Sequence, residues 1–393
     1  MNSRFLGSVG LISGTAIGAA MLAMPVSTAA IGWFPSILSL VLMATLMIYS
    51  GLLVLEALAR MPGQNTMISI AGETLGMPGR ITAMFAYIFL LFSLNASYLG
   101  IAGEFISDFL ASYTSFSTLY VQIAILVVFA TLLLTRAEYV DHFNRVLIIG
   151  MILCYIGLNF YVLPHVKLSL LSRMGFHAFF SSLPIIATAF GYHPIIPHIF
   201  EYLGRDVQQT RRAIIFGTLS PLLIYALWQF AVLGTLSYEG AVGLKEAQAR
   251  GMAATSFLVS VLDQPVLRTF GLGFSFFAIM TSFLGTFLGM IEFLLDAFKI
   301  SDSKPQQVFV TIAASIPLLL VNLYVAKVFM AALGFAGLMT AVLIGLLPLL
   351  MTYRSRQIYK NNLGYVTSGG TVAMVISAIA FSIVILVETG LIR

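Results

Sequence analysis

The chain has 393 residues, of which 60% are hydrophobic and 9% charged, against about 25% charged in an ordinary soluble domain, and this excludes a soluble globular protein. Its 20 Lys and Arg outnumber 15 Asp and Glu for a net charge of +5, but the basic residues sit between apolar runs, as flanks of membrane spans do and nucleic-acid surfaces do not. A single cysteine, Cys154, excludes an intrachain disulfide framework and a multi-thiolate metal site.

Crossing a bilayer takes about 20 apolar residues. Runs bounded by charge, Pro and Gly give eleven candidate spans, at 5–30, 32–60, 81–112, 117–135, 143–164, 180–203, 211–238, 266–299, 306–325, 328–352 and 369–391. The first of them follows Arg4 and carries no cleavage-site pattern, so a removable signal peptide is not expected. Within it, Ser13-Gly14-Thr15-Ala16-Ile17-Gly18-Ala19-Ala20 interrupts the apolar run with small residues, ahead of Met24-Pro25. Between spans two and three, Pro62, Gly63, Gly72, Gly76 and Pro78 predict a short interfacial helix flanked by turns. The sixth span contains Thr188-Ala189-Phe190-Gly191-Tyr192-His193-Pro194, with Pro184 before it and Pro197 after it. The stretch Ser237 to Gln264 is too polar to cross, and Leu244, Met252, Phe257 and Leu258 predict one face of a short surface helix capping the bundle.

Pro removes a backbone donor and Gly lowers helix preference, so spans one and six are expected to unwind near mid-membrane. Unwound backbone at that depth survives only when buried in protein or facing water. The two breaks lie five spans apart, so the second set of five inserts upside down relative to the first. This is the geometry of an inverted repeat with a site at the repeat interface. The expected organisation is one all-α polytopic domain: a first repeat over 1–164, a second over 180–352 and an additional span at 369–391. The alternative for span one is that Gly10, Gly14 and Gly18 only allow close helix packing. With a cytoplasmic N-terminus, 13 of the 20 basic residues lie on the inner side, including Arg60, Arg80, Arg136, Arg145, Arg205 and Arg356, while Arg393 is among those outside. The positive-inside rule therefore favours N-in and C-out.

A helix interrupted in the membrane offers a positive N-terminal end and a negative C-terminal end within a few ångströms. Together they fit a zwitterion, and an α-amino acid is the natural small one. Amides around Ile17, Gly18 and Ala19 are candidates for its carboxylate; carbonyls near Ser13 and Gly14, and near Ala187 and Ala189, are candidates for its ammonium. Asn95, Tyr98, Phe190, Gly191, Tyr192, Phe274, Phe277, Ser282 and Phe335 are candidates around its side chain. Such a mixture suits an aromatic ligand with a hydroxyl, although rings in membrane helices often only pack. Ionisable residues inside spans are functional candidates by default. Glu104 and Glu201 lie deeper than Glu56, Glu292 and Asp296, and His193 falls within the break, so these three are the proton-coupling candidates; capping of freed backbone groups is the other reading of His193. Thr281 and Ser282 offer adjacent hydroxyls as weak alkali-ion candidates.

The run Gly14-Thr15-Ala16-Ile17-Gly18-Ala19-Ala20-Met21-Leu22-Ala23-Met24-Pro25 resembles the first-helix motif of the hydroxy and aromatic amino acid permease family, and Ala189-Phe190-Gly191-Tyr192-His193-Pro194-Ile195-Ile196-Pro197 resembles its sixth-helix motif. Gly103-Glu104, Phe143-Asn144-Arg145, Thr281-Ser282-Phe283-Leu284-Gly285 and Ala332-Leu333-Gly334-Phe335-Ala336-Gly337 follow in family order. The pattern looks closest to bacterial tyrosine-specific permeases. It departs from the family at Ala20 and Pro194, where glycine is usual, and Pro194 puts substrate preference in question before mechanism. The resemblance implies eleven spans in the LeuT-like arrangement, the bacterial inner membrane, and proton-coupled uptake of an aromatic amino acid. No redox-cofactor motif is visible, so no cofactor is expected, and no obligatory protein partner is evident. The pattern Gly-x-x-x-x-Gly-Lys-Ser/Thr is absent, so ATP-driven transport would need another subunit. With no catalytic triad visible and no metal-ligand spacing among His177, His193 and His198 beyond an isolated His198 and Glu201 pair, an enzyme is not expected. A tryptophan- or serine/threonine-preferring permease of the same fold, or a ligand-gated channel or sensor, are the alternatives.

Overall fold

The computed structural model describes residues 3–63, 65–110, 117–135, 137–262, 264–301, 303–325, 327–360 and 364–391; Arg136, Arg393 and the last two residues of the third expected span lie outside these. Every regular element among the described residues is helical. The chain opens with α1 (Ser3–Ala16) and α2 (Ala20–Thr28), bent by 56° at the intervening residues. Then follow α3 (Trp33–Arg60), α4 (Met67–Leu110), α5 (Thr118–Leu133), α6 (Ala137–Val162) and the single turn α7 (Leu168–Leu171). The next apolar stretch is divided into α8 (Leu183–Ala189) and α9 (Ile196–Tyr202). The second part continues with α10 (Val207–Thr235), α11 (Leu244–Arg250), α12 (Ala254–Leu262), α13 (Pro265–Ala297), α14 (Lys304–Tyr324), α15 (Val328–Thr340), α16 (Leu347–Ile358) and α17 (Gly370–Glu388).

Among the described residues, nine helical stretches are long and apolar enough to cross a membrane, and ten if α1 and α2 count as one bent span. The remaining expected run, the fourth, is α5, which at 16 residues is shorter than the other spans. Gly76, with φ 72°, separates a short helix over 67–75 from the long remainder of α4, and the turn falls at a glycine because this backbone region disfavours side chains. The cap between α10 and α13 is two helices where the sequence suggests one. Gly251, in the left-handed region, ends α11, so Leu244 is buried from α11 while Phe257 and Leu258 are buried from α12.

The long helices pair in a regular way. α15 packs along α4, α13 along α6, α10 along α3, and α13 against α4; α1 lies on α10, and α5 and α14 flank α4 and α13 respectively. Small residues set the closest approaches: a Cβ on Gly217 of α10 would lie 2.6 Å from Ile12 of α1, and one on Gly103 of α4 would lie 2.5 Å from Gln122 of α5. α15 and α16 are joined by a π-helical turn, Ala341–Leu346, whose Gly345 lies under the ring of Phe381 in α17. Outside the spans, the Asp206 side chain caps α10 by accepting the Gln209 amide at 2.9 Å, and this bond holds its carboxyl below the usual carboxylate range.

One end of the bundle is fastened by charge. The carboxylate of Glu56 in α3 is fully buried and takes two bonds from the Arg356 guanidinium of α16, at 2.7 and 2.8 Å. Arg60 at 3.1 Å and the Thr367 amide at 2.8 Å complete its shell. Nearby, Arg205, just past α9, pairs with Glu201 and donates to the carbonyls of Leu58, Met61 and Gly63 at 3.2, 2.7 and 2.6 Å. Breaking a buried pair from one side leaves the other charge uncompensated. Glu56→Gln is therefore expected to lower the thermal midpoint of the purified protein through a loss of about 3 kcal/mol. Arg356→Lys, which keeps the charge without the two-pronged contact, is expected to lose less. Equal midpoints for wild type and Glu56→Gln would show that this carboxylate anchors nothing.

Candidate functional site

The two interrupted stretches meet in the interior, where α2 packs on α8. In the first, α1 ends at Ala16 and α2 restarts at Ala20. The Ile17 amide still bonds to the Ser13 carbonyl at 2.9 Å, so the helical pattern is lost only after Ile17. The Ala19 amide instead leaves the α1 pattern and donates to the Ser282 hydroxyl of α13 at 2.9 Å. Gly18 is needed for this approach, because a Cβ there would lie 2.5 Å from Ser282 Oγ. By contrast, a Cβ on Gly10 or Gly14 would meet nothing within 4 Å, so neither is a close-packing contact, and Gly14 is exposed.

In the second stretch, the α8 turn closes on itself, with the Phe190 amide on the Ala187 carbonyl at 3.2 Å and the Gly191 amide on the Thr188 carbonyl at 3.1 Å. A single 3-10 turn, His193–Ile195, leads into α9, and Pro194 and Pro197 both fall at first-turn positions, where a missing donor costs little. Proline therefore shapes the restart of this stretch without leaving a lost hydrogen bond inside it.

Both first halves end on the same side chain. The Tyr225 hydroxyl of α10 donates to the Ala16 carbonyl at 2.6 Å and to the Ala189 carbonyl at 2.9 Å. These are the last residues of α1 and α8, so the partial negative ends of the two half-helices converge on one phenol. Tyr225 is fully buried, with its ring edge-on to Phe190 at 5.3 Å. One turn on, Trp228 Nε1 donates to the Met21 carbonyl of α2 at 2.9 Å, and Gln229 donates to the Thr28 hydroxyl at 2.9 Å. Trp228 in turn rests edge-on against Phe274 of α13, 5.5 Å away.

A second polar thread runs through α13. The Thr286 hydroxyl, one turn past Ser282, lies 2.8 Å from the Ser282 carbonyl and 3.0 Å from Asn95 Oδ1 of α4, and Asn95 Nδ2 donates to Leu91 and faces Met290 Sδ at 3.8 Å. Ala19, Ser282, Thr286 and Asn95 thus form one continuous chain from the first break to α4. Thr281 donates to Ala278 at 3.1 Å. Ser13 donates to the Gly217 carbonyl at 3.1 Å, fixing α1 to α10.

The structure gathers Ala19, Ala189, Phe190, Asn95 and Ser282 around these contacts, and Tyr98 and Tyr192 are buried. Tyr192 stacks on His193 at 4.6 Å and donates to the Met47 carbonyl of α3 at 3.1 Å. The His193 ring is fully buried, and among the described residues neither of its nitrogens has a hydrogen-bond partner. Other candidates sit elsewhere. Phe277 covers Gly150 of α6, and Phe335 is 39% exposed and edge-on to Phe89. Glu104 is exposed, and Glu201 is engaged by Arg205. A cleft of about 480 Å³ lined by Thr66, Ser69, Glu73, Arg80 and Asp296 contains none of the expected binding residues. At its rim Tyr359 donates to the Glu73 carboxylate, which pushes the tyrosine hydroxyl up to about 12. Sequence reasoning missed Tyr225, Trp228 and Thr286. The available signals were the spacing Tyr225, Trp228, Gln229, which puts three polar groups on one face of an apolar helix, and Thr286 four residues after Ser282.

The chain matches the tryptophan/tyrosine permease family over residues 1–388. It is 32% identical to tyrosine-specific transport system 2 of Haemophilus influenzae, covering 98% of this chain and 96% of that protein. The tryptophan-specific transport protein of the same organism is 30% identical over 90% and 88% of the two chains, and its tyrosine-specific transport system 1 is 30% identical over 95% and 94%.

If the Ala19 to Ser282 contact shapes the first break, Gly18→Ala is expected to cut transport at least about tenfold with normal membrane abundance, since it strains a contact worth about 1 kcal/mol and displaces the neighbouring backbone. Gly10→Ala, with open space for its methyl, should stay within about twofold of wild type. Equal transport by Gly18→Ala and Gly10→Ala would discard this role for Gly18.

Proposed function

The chain belongs to the tryptophan/tyrosine permease family, and from that premise we propose that it is a secondary active transporter importing an aromatic amino acid, with tyrosine preferred, in symport with protons. The observation that carries this reading is the convergence of the Ala16 and Ala189 carbonyl ends beside the Ser282-capped start of α2. Such a place presents negative and positive helix ends to a dipolar ion without fixing a full charge in the membrane. The α-ammonium would bind at the carbonyl ends, and the carboxylate toward Gly18 and Ala19.

The proposed architecture is eleven spans, five and five related by inversion with α17 appended. The helix pairing supports it. Exchanging the first five spans for the second five turns the α4 and α15 contact into the α13 and α6 contact, and the α4 and α5 contact into that of α13 and α14, while α3 with α10 and α4 with α13 map onto themselves. Alternating access then follows from rocking one group of helices against the other about the two breaks. The setting is a bacterial inner membrane with the N-terminus inside, so that Arg60, Arg205 and Arg356 lie on the cytoplasmic side. Of the three coupling candidates, His193 has its ring enclosed beside the second break, whereas Glu104 is exposed and Glu201 is paired.

Tyrosine is placed ahead of tryptophan because the relative at 32% identity is named for tyrosine. Tryptophan is the second reading, favoured by the tryptophan-specific relative, one of the two at 30%. Proteoliposomes with an inward proton gradient and no sodium are expected to accumulate labelled tyrosine, with unlabelled tyrosine competing better than tryptophan and serine competing poorly. Uptake that requires sodium and ignores the proton gradient would overturn the coupling. Stronger competition by tryptophan would reverse the preference. His193→Gln is expected to abolish gradient-driven accumulation while retaining exchange of internal for external substrate. Unchanged accumulation would remove His193 from the coupling.

A further inference from the structure

We propose that the Tyr225 hydroxyl is an internal stand-in for the substrate's ammonium group, holding the paired carbonyl ends of Ala16 and Ala189 until an incoming ammonium takes them over. The inference rests on the amino-acid reading of the site given above. Its starting point is an imbalance in donors. Two helix-terminal carbonyls, 2.6 and 2.9 Å from one hydroxyl oxygen, share a single proton, and a phenol has only one O–H to give. An ammonium has three N–H groups and a full charge, and charge-assisted hydrogen bonds are roughly twice as strong as neutral ones. It can therefore serve both carbonyls at once where the phenol divides itself between them.

The surroundings allow the exchange. α10 is attached to the first broken stretch on both sides of Tyr225, through the Ser13 hydroxyl on Gly217 and through Trp228 on Met21. Releasing the tyrosine contact therefore leaves α10 in place. The ring lies edge-on to Phe190, which belongs to the unwound part of the second stretch, so a turn of the phenol out of the carbonyl pair is felt directly at that break. The hydroxyl thus closes both breaks against each other, and only a ligand that brings its own cation can replace it. A ring and a carboxylate without an ammonium do not suffice.

The test compares purified wild type with Tyr225→Phe, which keeps the ring and removes the donor. Equilibrium binding is measured for L-tyrosine, for tyramine, which lacks the carboxylate, and for 3-(4-hydroxyphenyl)propionate, which lacks the ammonium. With the internal competitor gone, affinity for tyrosine and tyramine is expected to rise about fivefold, the equivalent of one net hydrogen bond, while affinity for the propionate stays within about twofold. Weaker or unchanged tyrosine binding, or an equal gain for all three ligands, overturns the proposal, because a merely structural tyrosine would not sort ligands by their ammonium. A tyrosine-bound structure of the wild-type protein gives a second measurement that no folding defect in the variant can blur. The Tyr225 oxygen is expected beyond hydrogen-bond distance of both carbonyls, and its retention on both sinks the idea. Wild-type protein that binds no aromatic amino acid fails the proposed function itself, and this inference with it, a result distinct from bound substrate with Tyr225 unmoved.

Discussion

Inside a bilayer lipid offers nothing to satisfy a peptide group, so an amide or carbonyl freed by a broken helix must find a partner within the protein or face a water-filled cavity. The rest of this structure follows from that requirement. Each interruption frees carbonyls at the end of its first half and amides at the start of its second. The partners come from two neighbouring helices: α10 supplies Tyr225 and Trp228 to carbonyls, and α13 supplies Ser282 to an amide. Both donors lie on one face of α10, with Gln229 beside them, in its otherwise apolar second half. The same logic explains the prolines of the second stretch, which occupy positions where a helix has no donor to lose.

Much of this was legible in the sequence. Small residues followed by Met24-Pro25, and a glycine hemmed by three prolines, marked where the two stretches unwind, because backbone preference is a local property that residue type reports directly. The turn at Gly76 and the location of the cap were legible for the same reason. What local pattern could not supply was the direction a side chain faces. In a helix apolar on all sides, periodicity does not separate lipid-facing from inward positions, and so Phe277 and Phe335 read as equal to Phe190 although only Phe190 lies at the breaks. Tyr225 escaped because its partners are 36 and 209 residues away, beyond any spacing rule. The span-ten motif also reads differently in three dimensions. Gly334 lies against the Glu388 carboxylate and Gly337 against the Pro184 backbone, so its glycines are contact points between helices.

The ion-pair cluster around Glu56 and the polar chain from Ala19 to Asn95 divide the labour of holding the bundle together. The first gathers α3, α16 and the approach to α17 at one end, through a carboxylate whose burial is compensated by four bonds from three partners, Arg356, Arg60 and the Thr367 amide. The second uses only neutral groups, hydroxyls and amides that tie α2, α13 and α4. Desolvating an ion costs far more than desolvating a neutral group, so only the first needs a charged shell.

Arg205 has a mechanical corollary. Its guanidinium is lodged in three main-chain oxygens at the tail of α3 while its own backbone, at φ 61°, closes the tail of α9. The lower portion of the second interrupted stretch is thereby riveted to α3 and shares its displacements. In the alternating-access reading proposed above, torque between that pair and α8 falls on Phe190 and Gly191, the link that follows the last turn of α8 and precedes Tyr192, itself bonded to α3.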